Sequence, residues 1–297
     1  MNPNIELLQL EQFLAVARAK NFTHAAKELH ISQSALSRSV QKLEEQLGQP
    51  LFERKPREVT LTDFGELLKE QAKQILKLVE DSISTLSEES QNGRIRLGAI
   101  PTIAPFFLPE LLRKFSETHP QISIIVQEDT SDKLIQRCQH GELDLAILAL
   151  PILDKHLEIE NLFDEELFLI TPPNHPLGET EDITPDSITE YPFITLNEAH
   201  CLSENIQSFC RQQAIQPISV ERLSQLATVQ ELVSLGHGIS IVPAMASRLD
   251  DQSDRRSYYS FSGNKPTRTV AMIWNPYRYQ SKWLTIFRDY LRSEVQD

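Results

Sequence analysis

The sequence is short of the residues and runs that mark several protein classes. Among 297 residues only three are cysteines and nine are glycines, too few for a disulfide-stapled scaffold. No HExxH, GxSxG, CxxC or glycine-rich phosphate loop occurs. The longest apolar run, LAILALPIL at 145–153, is far below the roughly 18 residues of a membrane span. We therefore expect no membrane segment, no bound metal and no cofactor.

The start of the chain and its few cysteines indicate a compartment. Residues 1–20 lack a basic segment followed by an apolar stretch and a small-residue cleavage site. We therefore expect no export signal and a cytoplasmic location. Because the cytoplasm keeps thiols reduced, a disulfide formed there is more often transient and regulatory than structural.

The charge is unevenly distributed along the chain. The net charge is −13, yet residues 1–62 carry 8 Lys/Arg against 7 Asp/Glu, and the remaining residues carry 21 against 35. Almost all the excess acid therefore lies outside the N-terminal segment. An acidic protein can still bind nucleic acid, because the basic surface need only be local.

Residues 1–62 show the pattern of a small helical head. Apolar residues recur at helical spacing over 8–19 and again over 32–48. Thr23 is expected to cap a short helix between these two, and Ser32 to cap the third helix. Two helices joined by a tight turn, the second beginning with small polar residues, form a helix-turn-helix.

The third helix and the segment after it carry side chains suited to DNA. Polar and basic residues on the early, exposed side of that helix can hydrogen-bond base edges and phosphates. A basic hairpin in LFERKPREVTLT would lie on the phosphate backbone as a wing. The predicted DNA-binding residues are Gln33, Ser34, Ser37, Arg38, Lys42, Arg54, Lys55 and Arg57. From this pattern alone an ordinary helical bundle with a solvated charge run stays open.

Residues 63–90 predict a long amphipathic helix between the head and the rest of the chain. Its leucine, isoleucine and valine side chains form one stripe along roughly 40 Å of helix. Pairing with the same helix of a second subunit would cover this stripe. We therefore expect a homodimer or homotetramer that presents two recognition helices to a two-fold site on double-stranded DNA.

Residues 91–297 predict a two-lobed α/β regulatory domain. Strand and helix patterns alternate as in a mainly parallel sheet with flanking helices. We assign about 94–164 and 266–297 to lobe I and about 165–265 to lobe II, with a ligand cleft between them. The fold class is α/β: a winged helix-turn-helix domain, a linker helix and a body like that of periplasmic binding proteins.

These pieces together resemble the LysR-type transcriptional regulators. FTHAAKELHISQSALSRSVQKLEEQLGQPLFER followed by VTLTDFG is similar to that family's winged head almost position by position. Within the family, the body resembles the OxyR-type hydrogen-peroxide sensors in IPTIAPFFLPELL, GELDLAILAL, LFDEELFL, GHGISIVPAMA, RTVAMIW and above all HCLSENIQSFC. The resemblance covers nearly the whole chain. It implies a DNA-binding regulator that is not an enzyme, with hydrogen peroxide and RNA polymerase as further partners.

The same resemblance implies a redox site around two cysteines nine positions apart. Cys201 falls on the peroxide-attacking cysteine and Cys210 on the resolving cysteine, which makes a reversible disulfide the expected switch. The other implied site positions are Thr102, Ser131 or the adjacent Thr130, His200 and Arg268. The chain departs from the family pattern at Ser203 and Glu204, where such sensors have a basic residue and an aspartate.

Two properties of the segment HCLSENIQSFC bear on its redox chemistry: how readily Cys201 forms a thiolate, and how far apart a helix would hold the two cysteines. The thiolate is the nucleophile, and a helix capped by Ser203, with a nearby cation such as Arg268, would favour it at Cys201. If residues 203–213 are helical, the two cysteines lie roughly 13 Å apart along the axis. A disulfide tolerates about 4.4–6.8 Å between Cα atoms, so oxidation would have to unwind the helix or swing the loop.

Other functions stay open at this point. A LysR-type regulator can instead respond to a small organic effector in the cleft between the lobes. A cysteine-dependent enzyme such as a thiol peroxidase is a third possibility, although it has no use for a DNA-binding head. Buried cysteines are often structural, and that is our interpretation of Cys138.

Overall fold

The computed structural model describes residues 5–55, 58–87, 93–197, 201–216, 218–247 and 255–295. They belong to two compact units, Met1–Glu89 and Ser90–Asp297. Within the described ranges, every helix is too short or too polar to cross a membrane.

The first unit is a three-helix head with a β-hairpin, followed by one long helix. Its elements are α1 (Leu7–Ala19), α2 (Phe22–Glu28), α3 (Gln33–Leu47), β1 (Phe52–Lys55), β2 (Glu58–Leu61) and α4 (Asp63–Ser87). The hairpin is antiparallel. The Phe52 ring packs 5.3 Å from the fully buried Phe13 ring, which joins the hairpin to the helices. The predicted winged helix-turn-helix architecture is confirmed.

Side-chain caps determine where the helices of the head begin. Ser32 Oγ accepts a hydrogen bond from the backbone N–H of Ala35 at 3.2 Å, as predicted for the start of α3. The prediction that Thr23 caps the second helix was wrong. Asn21 Oδ1 accepts from the N–H of His24 at 3.0 Å, so α2 begins two residues earlier than expected, with Thr23 inside it.

The long helix α4 keeps much of its apolar stripe exposed. Ala72 is buried against the head, whereas the side chains of Leu67, Ile75 and Ile83 remain 59%, 43% and 62% exposed. A single helix gains nothing from presenting such residues to water. The exposure agrees with the expected helix pairing between subunits, which stays a prediction.

The second unit contains nine strands or strand segments and five helices in the described ranges. Its helices are α5 (Ala104–Thr118), α6 (Ser131–Gln139), α7 (Cys201–Gln212), α8 (Leu226–Ser234) and α9 (Lys282–Glu294). Its strands are β3 (Gly93–Ala99), β4 (Ile122–Glu128), β5 (Leu145–Ala149), β6 (Glu158–Thr171), β7 (Pro192–Leu196), β8 (Ile218–Leu223), β9 (Ser240–Pro243), β10 (Ser257–Tyr259) and β11 (Thr267–Trp274). Short 3₁₀ segments cover Pro176–Glu179, Pro185–Ile188 and Ala244–Ala246.

The sheets of this unit are mixed, so the expectation of a mainly parallel sheet was wrong. β3 pairs in parallel with β4 and β5, and β7 pairs in parallel with β8. β11, however, runs antiparallel to both β5 and β6, and β9 and β10 are antiparallel to β6. The reason is that the chain leaves the first lobe along β6 and returns along β11, and these two connecting strands lie side by side.

Two apolar cores divide the second unit. One lies around β3, β4 and β5 with α5 and α9. The other lies around β7 and β9 with α7 and α8. The first half of β6 pairs with β11, and its last residues pair with β9 and β10 in the second core. We refer to the regions around the two cores as lobes I and II, and the predicted lobe bounds stay a prediction.

Candidate functional site

The helix α7 carries both cysteines of HCLSENIQSFC. It begins at Cys201 rather than at Ser203, so the prediction that Ser203 caps it was wrong. The Ser203 side chain is buried, and its hydroxyl lies 2.6 Å from the carbonyl oxygen of Leu196 and 3.0 Å from that of Asn197. This hydroxyl therefore satisfies carbonyl groups at the end of β7 and ties α7 to lobe II.

Cys201 lies at the first position of α7 and packs against the core of lobe I. Burial raises the pKa of the Cys201 thiol above its usual value. The positive charge of Arg268 lowers that pKa, as do the neighbouring Ser131 hydroxyl and backbone hydrogen bonds from Ala149 and Leu202. Burial outweighs these effects, so the resting thiol is mainly protonated at neutral pH.

Arg268 is the cation of this site and is almost fully buried. Its Nη1 donates to Thr102 Oγ1 at 2.9 Å, and its Nη2 donates to the Thr102 carbonyl oxygen at 3.1 Å. Its Nε donates to Glu165 Oε2 at 2.8 Å. The Thr102 side chain is also buried, and its hydroxyl keeps its own hydrogen to donate, because it accepts from Arg268.

Two groups in this network were missed by the sequence reasoning. Glu165 Oε1 accepts from the backbone N–H of Met245 at 2.6 Å, and Met245 Sδ lies 3.7 Å from Arg268 Nη2. Glu165 faces Arg268 directly across the antiparallel pair β6–β11, although 103 residues separate them along the chain. The sequence does not single out Glu165, because it stands between two other acidic residues in a strand that carries five of them.

The structure distinguishes between the two candidate hydroxyls at the start of α6. Ser131 Oγ is buried and makes no regular hydrogen bond within the described ranges, yet it lies close enough to the Cys201 thiol to lower its pKa. Thr130 is half-buried, and its side chain makes no capping hydrogen bond. Ser131 is therefore the hydroxyl that the fold brings to the thiol. His200 lies outside the described residues.

Cys210 lies nine residues farther along α7 in a different environment. It is 6% exposed and belongs to the core of lobe II, and burial raises the pKa of its thiol. One side of Cys210 lines a cavity of about 290 Å³ between α7 and the β7–β8 sheet. All three cysteines of the chain are free thiols in this structure. Cys138 is fully buried in lobe I, and burial raises the pKa of its thiol to about 12.

The cleft between the lobes is open. A cavity of about 580 Å³ lies there, and its wall combines apolar and polar groups. Its lining residues are Pro101, Pro105, Phe106, Glu128, Ser224, Gln225, Leu226, Ala227, Gln230 and Ala246. A volume of this size suits a small organic ligand.

The predicted DNA-binding face lies on α3. Gln33, Ser34 and Arg38 are exposed there, and Ser37 is half-buried. Lys42 forms an exposed ion pair with Glu6 at 3.0 Å, which is weak in water and can exchange for a phosphate. Of the wing residues, Arg54 and Lys55 belong to β1, nothing is described of their side chains, and Arg57 lies outside the described residues.

Comparison with known proteins identifies the family. Residues 7–66 match the model for bacterial regulatory helix-turn-helix proteins of the lysR family, and residues 88–296 match the LysR substrate binding domain. A hydrogen peroxide-inducible genes activator of Pectobacterium carotovorum subsp. carotovorum is 30% identical over 92% of this chain and 91% of its own. A probable RuBisCO transcriptional regulator of Trieres chinensis is 32% identical over 95% of this chain and 94% of its own.

A solved structure extends this comparison to the fold. A full-length OxyR variant from Pseudomonas aeruginosa matches with a TM-score of 0.75 at 28% identity, covering 97% of this chain and 95% of that one. The predicted order of head, linker helix and two-lobed body is thus shared with a solved regulator. The chain belongs to the LysR family and is a DNA-binding regulator of transcription.

Proposed function

We propose that this regulator senses hydrogen peroxide and is switched by a reversible disulfide between Cys201 and Cys210. The observation that carries the proposal is the set of groups around one thiol: the Arg268 charge, the Ser131 hydroxyl and the Thr102 hydroxyl held by the same guanidinium. Relatives named for peroxide induction and for RuBisCO regulation match at 30% and 32% identity. Overall similarity therefore does not select the inducer, and the residues around Cys201 are what supports peroxide.

In the first step, Cys201 attacks one oxygen of hydrogen peroxide. An S–O bond forms as the O–O bond breaks, the thiol proton goes to the departing hydroxide, and the products are a sulfenic acid and water. The free hydrogen of the Thr102 hydroxyl and the otherwise unpaired Ser131 hydroxyl are donors for the peroxide oxygens. Because the resting thiol is mainly protonated, the Arg268 charge acts mostly as negative charge develops in the transition state.

In the second step, the Cys210 thiol attacks the sulfenic sulfur, and water leaves as the disulfide forms. Along α7 the two residues are roughly 13 Å apart, whereas the bond needs about 4.4–6.8 Å between Cα atoms. The helix must therefore unwind, and at least one of the two cysteines must leave the core in which it packs. This includes breaking the hydrogen bond from Asn205 Nδ2 to the Leu150 carbonyl oxygen, 3.1 Å long, which ties α7 to lobe I.

The switch reaches DNA through the oligomer. We infer that α4 pairs between subunits and that unwinding of α7 changes how the regulatory domains pack, which alters the spacing of the heads on a two-fold site. The eight residues predicted to contact DNA remain the proposed contacts. RNA polymerase is the proposed partner at the promoter.

The open cleft favours a second candidate function. A small organic effector could occupy the cavity of about 580 Å³ between the lobes. This candidate keeps the regulator and gives the cysteines a structural role only. It predicts that peroxide leaves the thiols unchanged.

The experiment that separates the two candidates is a free-thiol count with peptide mapping before and after a small molar excess of peroxide. We expect two of the three thiols to be lost, with one crosslinked peptide pair containing Cys201 and Cys210. Cys201→Ser should abolish the crosslink, and Cys138→Ser, the matched control, should leave it unchanged. Unchanged thiols in the wild-type protein would contradict the proposal, and a thermal shift with an organic acid would then support the effector.

A further inference from the structure

Glu165 and Arg268 form a buried ion pair at the edge of the redox site. Their side chains are 5% and 0% exposed, and Arg268 Nη2 lies 2.8 Å from Glu165 Oε2. The two residues are direct partners in the β6–β11 register. Both carboxylate oxygens are used, since Oε1 accepts from the backbone N–H of Met245. The position of Glu165 is therefore fixed by contacts to β11 and to the segment after β9.

In this geometry Arg268 interacts electrostatically with two groups that can be negative, the Glu165 carboxylate and the Cys201 thiolate. Its Nε and Nη2 are turned to Glu165, and Nη1 to Thr102. The thiolate of Cys201 would be the second anion that the charge of this guanidinium stabilises, because that charge lowers the pKa of the thiol. In a water-poor site charges interact strongly. The negative charge of Glu165 therefore reduces the electrostatic stabilisation that Arg268 gives to the Cys201 thiolate.

We propose that Glu165 is a positioning residue that holds Arg268 against Thr102 and competes with the Cys201 thiolate for its charge. Glu165 thereby sets how readily the sensor thiol ionises. The inference rests on Cys201 being the reacting group of the proposed function, but it is tested without peroxide.

Among the described residues, the charged side chains in the first turns of α6 and α7 are exposed. On α6 these are Asp132 and Lys133, on α7 the nearest is Glu204, and β5 carries no charged residue. Water screens such exposed groups. Arg268 on β11 exerts the largest effect of any charged side chain on the Cys201 thiol. A change of charge in the Glu165–Arg268 pair should therefore change the pKa of that thiol.

The test measures the acidity of Cys201 directly. In a Cys210→Ser background, which prevents the disulfide, the rate of alkylation by iodoacetamide is followed against pH and assigned to Cys201 by peptide mapping. Cys138 does not interfere, because burial raises the pKa of its thiol to about 12. Glu165→Gln should lower the pKa of Cys201 by about one unit, which is about a tenfold rise in the thiolate fraction below that pKa.

The matched control is Glu166→Gln, on the next residue of the same strand. Glu166 pairs with Lys265 at 3.2 Å and is not part of the buried network. This variant should leave the pKa of Cys201 unchanged. If Glu165 only supports the fold, its loss would loosen Arg268, and the pKa of Cys201 would stay the same or rise. Either result would overturn the proposal.

A second pair of variants keeps the test decisive if Glu165→Gln does not fold. The double variant Glu165→Gln with Arg268→Gln leaves no unpaired buried charge, whereas Arg268→Gln alone leaves the carboxylate of Glu165 without its guanidinium partner. The pKa of Cys201 should be higher in the single Arg268 variant than in the double variant. Equal values in the two variants would show that Glu165 has no electrostatic effect on Cys201.

Discussion

The two ends of α7 place chemically identical thiols in opposite surroundings. At the first residue, Cys201 has a guanidinium charge, a side-chain hydroxyl and backbone hydrogen bonds around it. At the tenth residue of the helix, Cys210 belongs to the apolar core of lobe II, together with Leu202, Ile206, Phe209 and Ile215. A polar, charge-assisted site suits a thiol that must react first, and an apolar one suits a thiol that waits until the helix opens.

The contrast also shows how the proposed disulfide would act as a switch. Each cysteine contributes to a different core, Cys201 to lobe I and Cys210 to lobe II. A disulfide between them must remove at least one from its place, because the helix holds them roughly 13 Å apart. The reduced fold and the oxidised bond therefore exclude each other.

The largest expected effect is on the free energy of unfolding when either cysteine of α7 is replaced by serine. Cys210→Ser buries a hydroxyl in an apolar core and should lower the free energy of unfolding by about 1–3 kcal/mol. Cys201→Ser puts the hydroxyl among polar groups and should cost less than about 1 kcal/mol. Urea denaturation under reducing conditions measures both. Equal losses would contradict the distinction between the two ends.

A smaller effect is expected from Cys138, the sulfur that takes no part in the switch. Burial raises the pKa of its thiol to about 12 in the folded protein, against about 8.5 in an unfolded chain. The native state therefore keeps its proton while the unfolded state loses it. The free energy of unfolding should fall by about 1.4 kcal/mol for each pH unit between these two values.

Cys138→Ala should remove that part of the pH dependence. Urea unfolding at about pH 8 and about pH 10 should show a stability loss smaller by about 2 kcal/mol in the variant than in the wild-type protein. Only the difference between the two pH values is compared, because the substitution itself also removes core contacts. A parallel pH dependence in both proteins would show that the buried thiol does not behave as described.

The sequence was most informative where local rules act. The small polar residue Ser32 predicted the start of α3, and the spacing of apolar residues predicted α4, because caps and helical periodicity depend on near neighbours. The same rules failed where a side chain found a distant partner. Ser203 looks like a cap in the sequence, but its hydroxyl bonds carbonyl groups at the end of β7.

The candidate site was only partly predictable for the same reason. The resemblance supplied Thr102, Ser131, Cys201 and Arg268, and the fold brings these side chains together. Glu165 could not be found from the sequence, because its role depends on the register between β6 and β11. Register is set by the packing of both lobes, and no local pattern reports it.

The measurement that tests the account most directly is amide hydrogen exchange over residues 201–212 in reduced and peroxide-treated protein. We predict that α7 is protected in the reduced protein and loses most of its protection once the Cys201–Cys210 disulfide has formed. α9 (Lys282–Glu294), which lies in the core of lobe I, serves as the internal reference and should stay protected. Full protection of α7 after peroxide treatment, with its thiols still free, would contradict the account.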